Sequence, residues 1–446
     1  MSVVIAAEAR QGRAVLRVAV VAIIAGLIGW RSLQMGMGAA FEHADPALAL
    51  SWQPDNARAQ LRLAERAAGA ATPDLPQAEQ RARALLLQRP ADGRVYRVLG
   101  EVAHRRGETA VAQTQLERAI RLLPADIPAR IWLADAALLR GQWRSALEHV
   151  DVILRLTPVR AKKLFPALRV WLTQPGAPAA FVDVLAGNPP WRTAFLLACA
   201  QGDSSVIAST VEVVKGLRKS VFPPTSDELS ALVERLIRDQ AVEPAYILWR
   251  QSLPAPMAPG NAIHNGDFER APTNTGFDWR IQSLAGASAT VTDKRDRAGH
   301  ALRVHFSNQR VAFTHVSQIL LLPPGRFAVM GQVRLDALQS ERGLEWVLDC
   351  LGTPTRSLGR SEPMRGTTGW QSFQFGVDVP ADCKAQRLTL ATRARIAAEG
   401  QISGTAWFDD LRVITAGDFG NAGQNAGFPA ENPASVSSLA PGETQQ

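Results

Sequence analysis

The chain has little cysteine, little tyrosine and no short motif of a known catalytic site. Its three cysteines are far apart and none belongs to a C-x-x-C pair, so the sequence excludes a cysteine-based zinc site. It also lacks H-E-x-x-H, G-x-S-x-G, the Walker phosphate loop and the dinucleotide glycine pattern. A glycosidase needs two carboxylates facing each other across a cleft, and no acidic pair is marked for that role. We therefore expect a protein that is not an enzyme.

Basic residues are in modest excess. Lysine and arginine outnumber aspartate and glutamate by 49 to 41, which gives a net charge of +8. These residues are spread along the chain and form no block with interleaved aromatics, so nucleic acid is not an expected partner. The excess either forms an ordinary solvated surface or attracts an acidic polymer, and the sequence leaves both readings open.

One apolar run, residues 18–30, lies near the N-terminus between arginines on both sides. It is short for a membrane span of about 20 residues, but an extension that lets Arg17 snorkel would suffice. The run also fits a secretory signal, with small residues at 38–40 for cleavage, although Arg31 argues against cleavage. We predict an uncleaved signal anchor over residues 1–40. Its basic flank predicts a cytoplasmic N-terminus, an inner-membrane location and a periplasmic bulk in a bacterium.

Residues 93–158 repeat at a spacing of 34. Glycines that reverse the chain, alanines that allow two helices to approach, and prolines that end the second helix recur in register. The matched pairs are Gly107 and Gly141, Ala103 and Ala137, Ala112 and Ala146, and Pro124 and Pro158. The stretch from Pro54 to Pro90 fits as a further unit if its turn is two residues longer, near Ala70–Thr72.

The period of 34 resembles the tetratricopeptide repeat. That resemblance implies an α-helical solenoid, which we place at residues 45–253, with a protein as its partner. A Pro/Gly-rich linker at 254–261 follows the predicted solenoid. Short alternating runs separated by glycine, proline and asparagine then predict a β-sandwich over 262–415, with about eight strands. The tail from 416 to 446 is poor in apolar residues and is expected to be disordered.

Four motifs in the second half are similar to those of jelly-roll carbohydrate-binding modules. They are N-G-D-F-E at 265–269, F-D-W at 277–279, G-H-A-L-R-V at 299–304 and W-F-D-D-L-R-V at 407–413. The resemblance implies a galactose-binding-like jelly roll and a structural Ca²⁺ held by Glu269 and Asp410, because oxygen ligands suit that ion. Asp267 and Asp409 stand beside these two residues, and the sequence does not choose between the neighbours. The alternative is that Glu269 and Asp410 cap strand ends or pair with arginine.

Sugar binding in such modules relies on exposed aromatic rings, and the candidates here are Trp279, Trp346 and Trp370. Each also fits a position in the core of a sandwich. The domain has no tyrosine, which is unfavourable for a typical sugar groove. It remains open whether the fold still binds a sugar.

Cys350 ends a predicted strand, and Cys383 lies in a predicted turn. In the oxidising compartment that the N-terminus implies, we expect a disulfide between them, with two free buried thiols as the alternative. Cys199 falls within an apolar helix and is expected to be a buried thiol.

These features together describe a multidomain α + β protein with a membrane helix, a solenoid and a sandwich. The combination resembles the tetratricopeptide-repeat accessory proteins of bacterial exopolysaccharide assembly. That resemblance implies a membrane-anchored periplasmic scaffold whose solenoid holds a protein partner and whose sandwich contacts polysaccharide. Two alternatives remain: a cell-envelope glycan-processing enzyme with a targeting module, and a protein–protein adaptor with no sugar ligand.

Overall fold

The computed structural model describes residues 2–253, 262–294, 298–352, 355–394 and 396–415. Within these, side chains are described from residue 19 onward, except at 397 and 398. The chain divides into two compact units, Met1–Pro223 and Pro224–Gln446. The predicted linker at 254–261 and the predicted disordered tail at 416–446 lie outside the described residues.

The first unit begins with one long helix, α1 (Ser2–Phe41). Its segment Ala19–Phe41 has a mean hydropathy of 1.4 and is not buried, so it is long and apolar enough to cross a membrane. The expectation of an N-terminal apolar helix is confirmed. A secretory signal has the same length and composition, so these properties do not separate an anchor from a cleaved signal.

Seven further helices follow, the last six in antiparallel pairs, and their lengths reproduce the spacing of the sequence. They are α2 (Pro46–Trp52), α3 (Ala57–Gly69), α4 (Leu75–Gln88), α5 (Gly93–Arg105), α6 (Thr109–Leu122), α7 (Ile127–Leu139) and α8 (Trp143–Leu156). The starts of α5 and α7 differ by the predicted 34 residues, as do those of α6 and α8. The turn between α3 and α4 takes five residues where the turn between α5 and α6 takes three, which confirms the predicted longer turn.

Glycine and alanine act in these pairs as the sequence predicts. Gly107 and Gly141 have φ angles of 81° and 67°, which lie in the left-handed region that glycine adopts without strain. Ala103 and Ala112 are almost completely buried where α5 meets α6. A Cβ at Gly100 would lie 2.6 Å from Leu116 Cγ, so the close approach of these two helices requires glycine there.

The regular spacing stops after α8. A single 3₁₀ turn (Pro158–Arg160) leads into α9 (Ala161–Leu172), α10 (Ala177–Leu185), α11 (Arg192–Cys199) and α12 (Ser204–Leu217). These helices share an aromatic core in which Phe195 packs against Phe165, Phe181 and Trp191. Cys199 is buried as predicted, and burial raises the pKa of its thiol to about 12.

The second unit starts with two helices, α13 (Ser226–Arg238) and α14 (Val242–Arg250). A capping box begins α13, because the Thr225 side chain accepts from the Glu228 N–H while Glu228 accepts from the Thr225 N–H. Since both helices belong to the same compact unit as the sandwich, the predicted solenoid range of 45–253 spans the division between the units.

Ten strands of the described residues form two antiparallel five-stranded sheets, which confirms the predicted sandwich. Sheet A has the order β1-β4-β9-β6-β7 and sheet B the order β2-β3-β10-β5-β8. The strands are β1 (Arg280–Ile281), β2 (Ala287–Asp293), β3 (His300–Arg310), β4 (Val316–Leu320), β5 (Gly325–Ser340), β6 (Leu344–Cys350), β7 (Arg356–Arg360), β8 (Gly366–Val379), β9 (Gln386–Thr392) and β10 (Gln401–Thr415).

The core of the sandwich lies between the two sheets and is rich in aromatic rings. Trp346 of β6 packs against Phe408 of β10 and against Trp279, with ring centroids 5.3 and 5.8 Å apart. The predicted disulfide is present: Cys350 and Cys383 are bonded, with their Cα atoms 5.7 Å apart. It ties the end of β6 to the turn before β9, its neighbour in sheet A.

Candidate functional site

The opening and closing motifs of the sandwich lie against each other. The Leu411 N–H donates to the Gly266 carbonyl at 2.9 Å, and the Trp279 indole N–H donates to the Asn265 carbonyl at 3.0 Å. Gly266 is required for this approach, because a Cβ there would lie 2.0 Å from the Leu411 carbonyl oxygen. The expectation that the first and last segments converge is therefore met.

Glu269 and Asp410, the predicted calcium ligands, do not meet. Asp410 is exposed, with a φ of 52°, whereas its neighbour Asp409 is 1% exposed and points inward. Glu269 accepts from the His300 N–H at 2.9 Å and lies 3.0 Å from the His300 Nδ1. These contacts lower the pKa of Glu269 to about 2 and raise that of His300.

A lysine occupies the space between the two motifs. The Lys294 ammonium lies 2.7 Å from Asp409 Oδ2 and 3.5 Å from Glu269 Oε1. Among the described residues, no group of three or more His, Cys, Asp or Glu is placed to hold a metal ion. Glu269 and Asp410 thus do not fit the calcium site that the motif resemblance implied, because one faces an ammonium and the other faces solvent.

The three candidate tryptophans have different surroundings. Trp279 and Trp346 are completely buried in the core, so neither ring has a face free to stack on a sugar. This corrects the expectation that either could bind a ligand. Trp370 is half-buried on β8, one of the two edge strands of sheet B, and its role as a sugar platform stays a prediction.

The outer face of sheet A carries a groove of about 380 Å³. Leu348 of β6 and Leu388 of β9 face the core. Because side chains alternate along a strand, the residues next to each of them in sequence face outward. Three cross-strand neighbours on the outer face are Ser317, Thr389 and Val347. The next outward pair, Asp349 and Arg387, completes the floor, and Leu351, Gly352 and Thr355 line one end.

Arg387 is the main positive group of this groove. Burial and the nearby charge of Arg280 lower its pKa, and Asp349 partly opposes that shift. Within the described chain, Arg387 has no ion-pair partner inside 4.0 Å. Among the described residues that line the groove there is no aromatic ring, so their binding chemistry is that of hydroxyls, one carboxylate and one guanidinium.

A second carboxylate on the same face, Glu345, is held by arginines. Its oxygens lie 3.3 Å from Arg360 and 3.7 Å from Arg393, and the side chain is 4% exposed. Burial raises its pKa despite the two guanidinium groups. The alternation of apolar and polar residues in β6 and β9 was the signal that could have predicted this polar face.

The first unit has its own groove, of about 820 Å³, along the helices α5 and α7. Trp132 and His104 form its aromatic part, with ring centroids 5.2 Å apart, and Ile131 is 41% exposed beside them. Arg97 lines the same groove and joins three successive helix pairs, through Glu65 of α3 and Asp126 at the start of α7.

Comparison with known proteins gives structural likeness only. No protein-family model matches the chain, and no curated protein matches it. Solved structures that resemble its second unit include the CBM4 structure, at 18% identity over 34% of this chain and 98% of that chain, with a TM-score of 0.27. They also include TmCBM61 in complex with β-1,4-galactotriose, at 17% identity over 35% and 98%, with a TM-score of 0.24. The CBM22-1 xylan-binding domain of Paenibacillus barcinonensis Xyn10C matches at 13% identity over 34% and 93%, with a TM-score of 0.24.

Proposed function

We propose that the protein is a membrane-anchored, non-enzymatic scaffold of the bacterial cell envelope. In this proposal its sandwich binds polysaccharide on the outer face of sheet A, and its helical unit binds a protein partner of an exopolysaccharide assembly system. The observation that carries the sugar-binding part is the open polar groove built from β4, β6 and β9. Hydroxyl, carboxylate and guanidinium groups are suited to the hydroxyls of a sugar chain, because the guanidinium donates hydrogen bonds, the carboxylate accepts them and the hydroxyls do both.

The N-terminal helix supports the anchoring part of the proposal. Apolar side chains are exposed along α1, including Val21, Ile23 and Leu27, each more than 60% exposed. Trp30 and Trp52 lie 6.5 Å apart near the end of the apolar run, and tryptophan favours the membrane–water interface. The Cys350–Cys383 bond suits a chain whose bulk reaches an oxidising compartment. We therefore propose an inner-membrane anchor with its N-terminus in the cytoplasm.

The spacing of the carboxylates supports a binding role over hydrolysis. Glu345 and Asp349 lie on the same face of β6, four residues apart, which places them about 13 Å apart along the strand. Glycosidases keep their two carboxyl groups about 5 to 9.5 Å apart. Glu345 is also already engaged by two arginines.

A pure protein adaptor is the second candidate function, and it is favoured because no aromatic ring lines the sheet A groove in the described part of the chain. Stacking on an aromatic ring is a principal source of affinity for a sugar face. Without it, the groove must rely on hydrogen bonds alone.

Affinity electrophoresis of the detergent-solubilised full chain in gels containing xylan, β-galactan, β-glucan or alginate tests the proposal. We expect retardation in at least one gel, and we expect Arg387→Met to weaken it roughly tenfold, since a hydrogen bond to a charged group contributes about 1.5 kcal/mol. Arg412→Met is the matched control, because Arg412 is exposed on β10 of the other sheet. Retardation that is absent in every gel would favour the adaptor, and retardation that is equal for both variants would contradict binding in the sheet A groove.

A further inference from the structure

We infer that Lys294 supplies, from within the chain, the cation that joins the first and last segments of the sandwich, so that no divalent metal is needed there. The geometry of one ammonium and two carboxylates carries this inference. Lys294 lies just after β2, Glu269 belongs to the opening motif, and Asp409 belongs to the closing motif on β10. Three stretches far apart in sequence therefore meet at one positive charge.

The burial of the lysine shows that this contact is built into the fold. Its side chain is 9% exposed and that of Asp409 is 1% exposed. Burying an ammonium is costly unless it is paired and hydrogen-bonded, and its distance of 2.7 Å from Asp409 provides that pairing. Glu269, which is 42% exposed, adds a second and weaker carboxylate contact on the solvent side.

Neighbouring residues make room for the ammonium. Gly299 has a φ of 96°, and a Cβ there would lie 2.3 Å from Glu269 Oε1 and 3.0 Å from Lys294 Nζ. Glycine at this position therefore allows the backbone to pass beside the charged pair. The Gly299 carbonyl also accepts from the Lys294 N–H at 2.9 Å, which fixes the start of the lysine relative to that glycine.

The local chain geometry suits an ammonium better than a calcium ion. Calcium takes six to eight oxygen ligands at about 2.3 to 2.6 Å, whereas an ammonium donates three hydrogen bonds. Glu269 is already engaged by the ring and the N–H of His300, and Asp410 turns to solvent in a left-handed conformation. A metal would require Lys294 to leave and Asp410 to change its backbone conformation.

The position of the Lys294–Asp409 pair shows which part of the sandwich the pair stabilises. The pairing of β10 with β5 shifts register between Asp409 and Arg412, so the ladder is interrupted there. At the same point Leu411 donates to Gly266 of the opening motif. The Lys294–Asp409 pair thus stabilises the last strand where it loses ladder contacts and receives the first segment of the domain.

Thermal unfolding of the full chain in detergent, followed by calorimetry, tests the inference. The transition of the second unit is identified as the one that shifts on reduction, since Cys350–Cys383 lies in that unit. We expect this transition in the unsubstituted protein to stay in place with excess EDTA and with millimolar Ca²⁺. Lys294→Met should lower its Tm by about 10 °C, because the buried Asp409 carboxylate loses the ammonium that lies 2.7 Å from its Oδ2.

Lys384→Met is the matched control, because Lys384 is exposed in the same domain, and it should leave the Tm unchanged. A Tm that falls with EDTA and returns with Ca²⁺ would overturn the inference. An equal Tm for Lys294→Met and Lys384→Met would overturn it as well. If Lys294→Met does not fold, the chelator measurement on the unsubstituted chain still decides the matter.

Discussion

Trp249 of α14 packs against Phe277 of the sandwich, with ring centroids 5.5 Å apart. His264 approaches the same indole edge-on, with ring centroids 5.0 Å apart. A Cβ at Gly276 would lie 2.6 Å from Cδ1 of the Trp249 indole. Glu234 of α13 adds a polar contact by accepting from the Gly276 N–H at 2.6 Å. The last two helices are therefore an integral part of the sandwich unit.

Trp249→Ala should destabilise the second unit by about 3 to 5 kcal/mol, because it removes a large buried ring and leaves a cavity. Urea unfolding of the full chain measures this change through the fluorescence change that accompanies unfolding of the second unit. Ile247→Ala on the same helix is the control: Ile247 is 45% exposed, so we expect a change of no more than about 0.5 kcal/mol. An equal effect of the two substitutions would mean that α14 is not a structural part of this unit.

Arg97→Met should destabilise the helical unit by about 3 kcal/mol, because Arg97 is 16% exposed and its loss leaves Asp126, 3% exposed, without its cation. Urea unfolding of the full chain gives the free energy of unfolding of the helical unit. The double variant Arg97→Met/Asp126→Asn should lose less than the sum of the two single changes, since asparagine keeps the N-cap of α7 while removing the unpaired charge. Strict additivity would show that the two residues are not coupled.

The pair of Glu269 and His300 should titrate together. Contact with Glu269 raises the pKa of His300 above its usual 6.5, and contact with His300 lowers that of Glu269 to about 2. The histidine contribution to stability is complete below pH about 6.5 and is lost as pH rises through its raised pKa. The glutamate contribution is complete above pH about 4.5 and is lost as pH falls through its lowered pKa. Both contributions are therefore complete together only between about pH 4.5 and 6.5.

NMR titration of the His300 ring measures this pair directly. In Glu269→Gln we expect the pKa of His300 to return toward 6.5, because its main partner has lost its charge. Asp293→Asn is a milder control, since Asp293 lies 3.3 Å from Nε2 but is 92% exposed. A His300 pKa that is unchanged in Glu269→Gln would contradict the contact.

The sequence is most informative where one residue type fulfils a local backbone requirement. The 34-residue spacing and the glycines at 107 and 141 predict helix pairs whose bounds agree with the structure, because φ > 0 at a turn is a local property. The longer turn near residue 70 follows from the same count. The Cys350–Cys383 bond is predictable because an oxidising compartment leaves few other fates for two cysteines in one small domain.

The sequence is least informative where the outcome depends on which face of a strand meets the core. Alternation in β6 places Trp346 and Val347 on opposite faces, but it does not say which face is covered. The structure buries the tryptophan, so the polar groove on the other face could not be assigned to a ligand from the sequence. Lys294 was missed for a different reason. It lies outside any motif, and only the fold brings it to Asp409.

A positive charge on a side chain is covalently attached, so its occupancy of a site does not depend on a concentration in solution. A dissociable ion leaves its site when its free concentration falls below its dissociation constant, and its stabilisation varies with that concentration. The ammonium of Lys294 is tethered, so its effective concentration at Asp409 is set by the covalent chain and is the same in every medium. The stability of a sandwich held in this way does not fall beside a polymer that sequesters divalent cations. It also does not respond to the concentration of those cations.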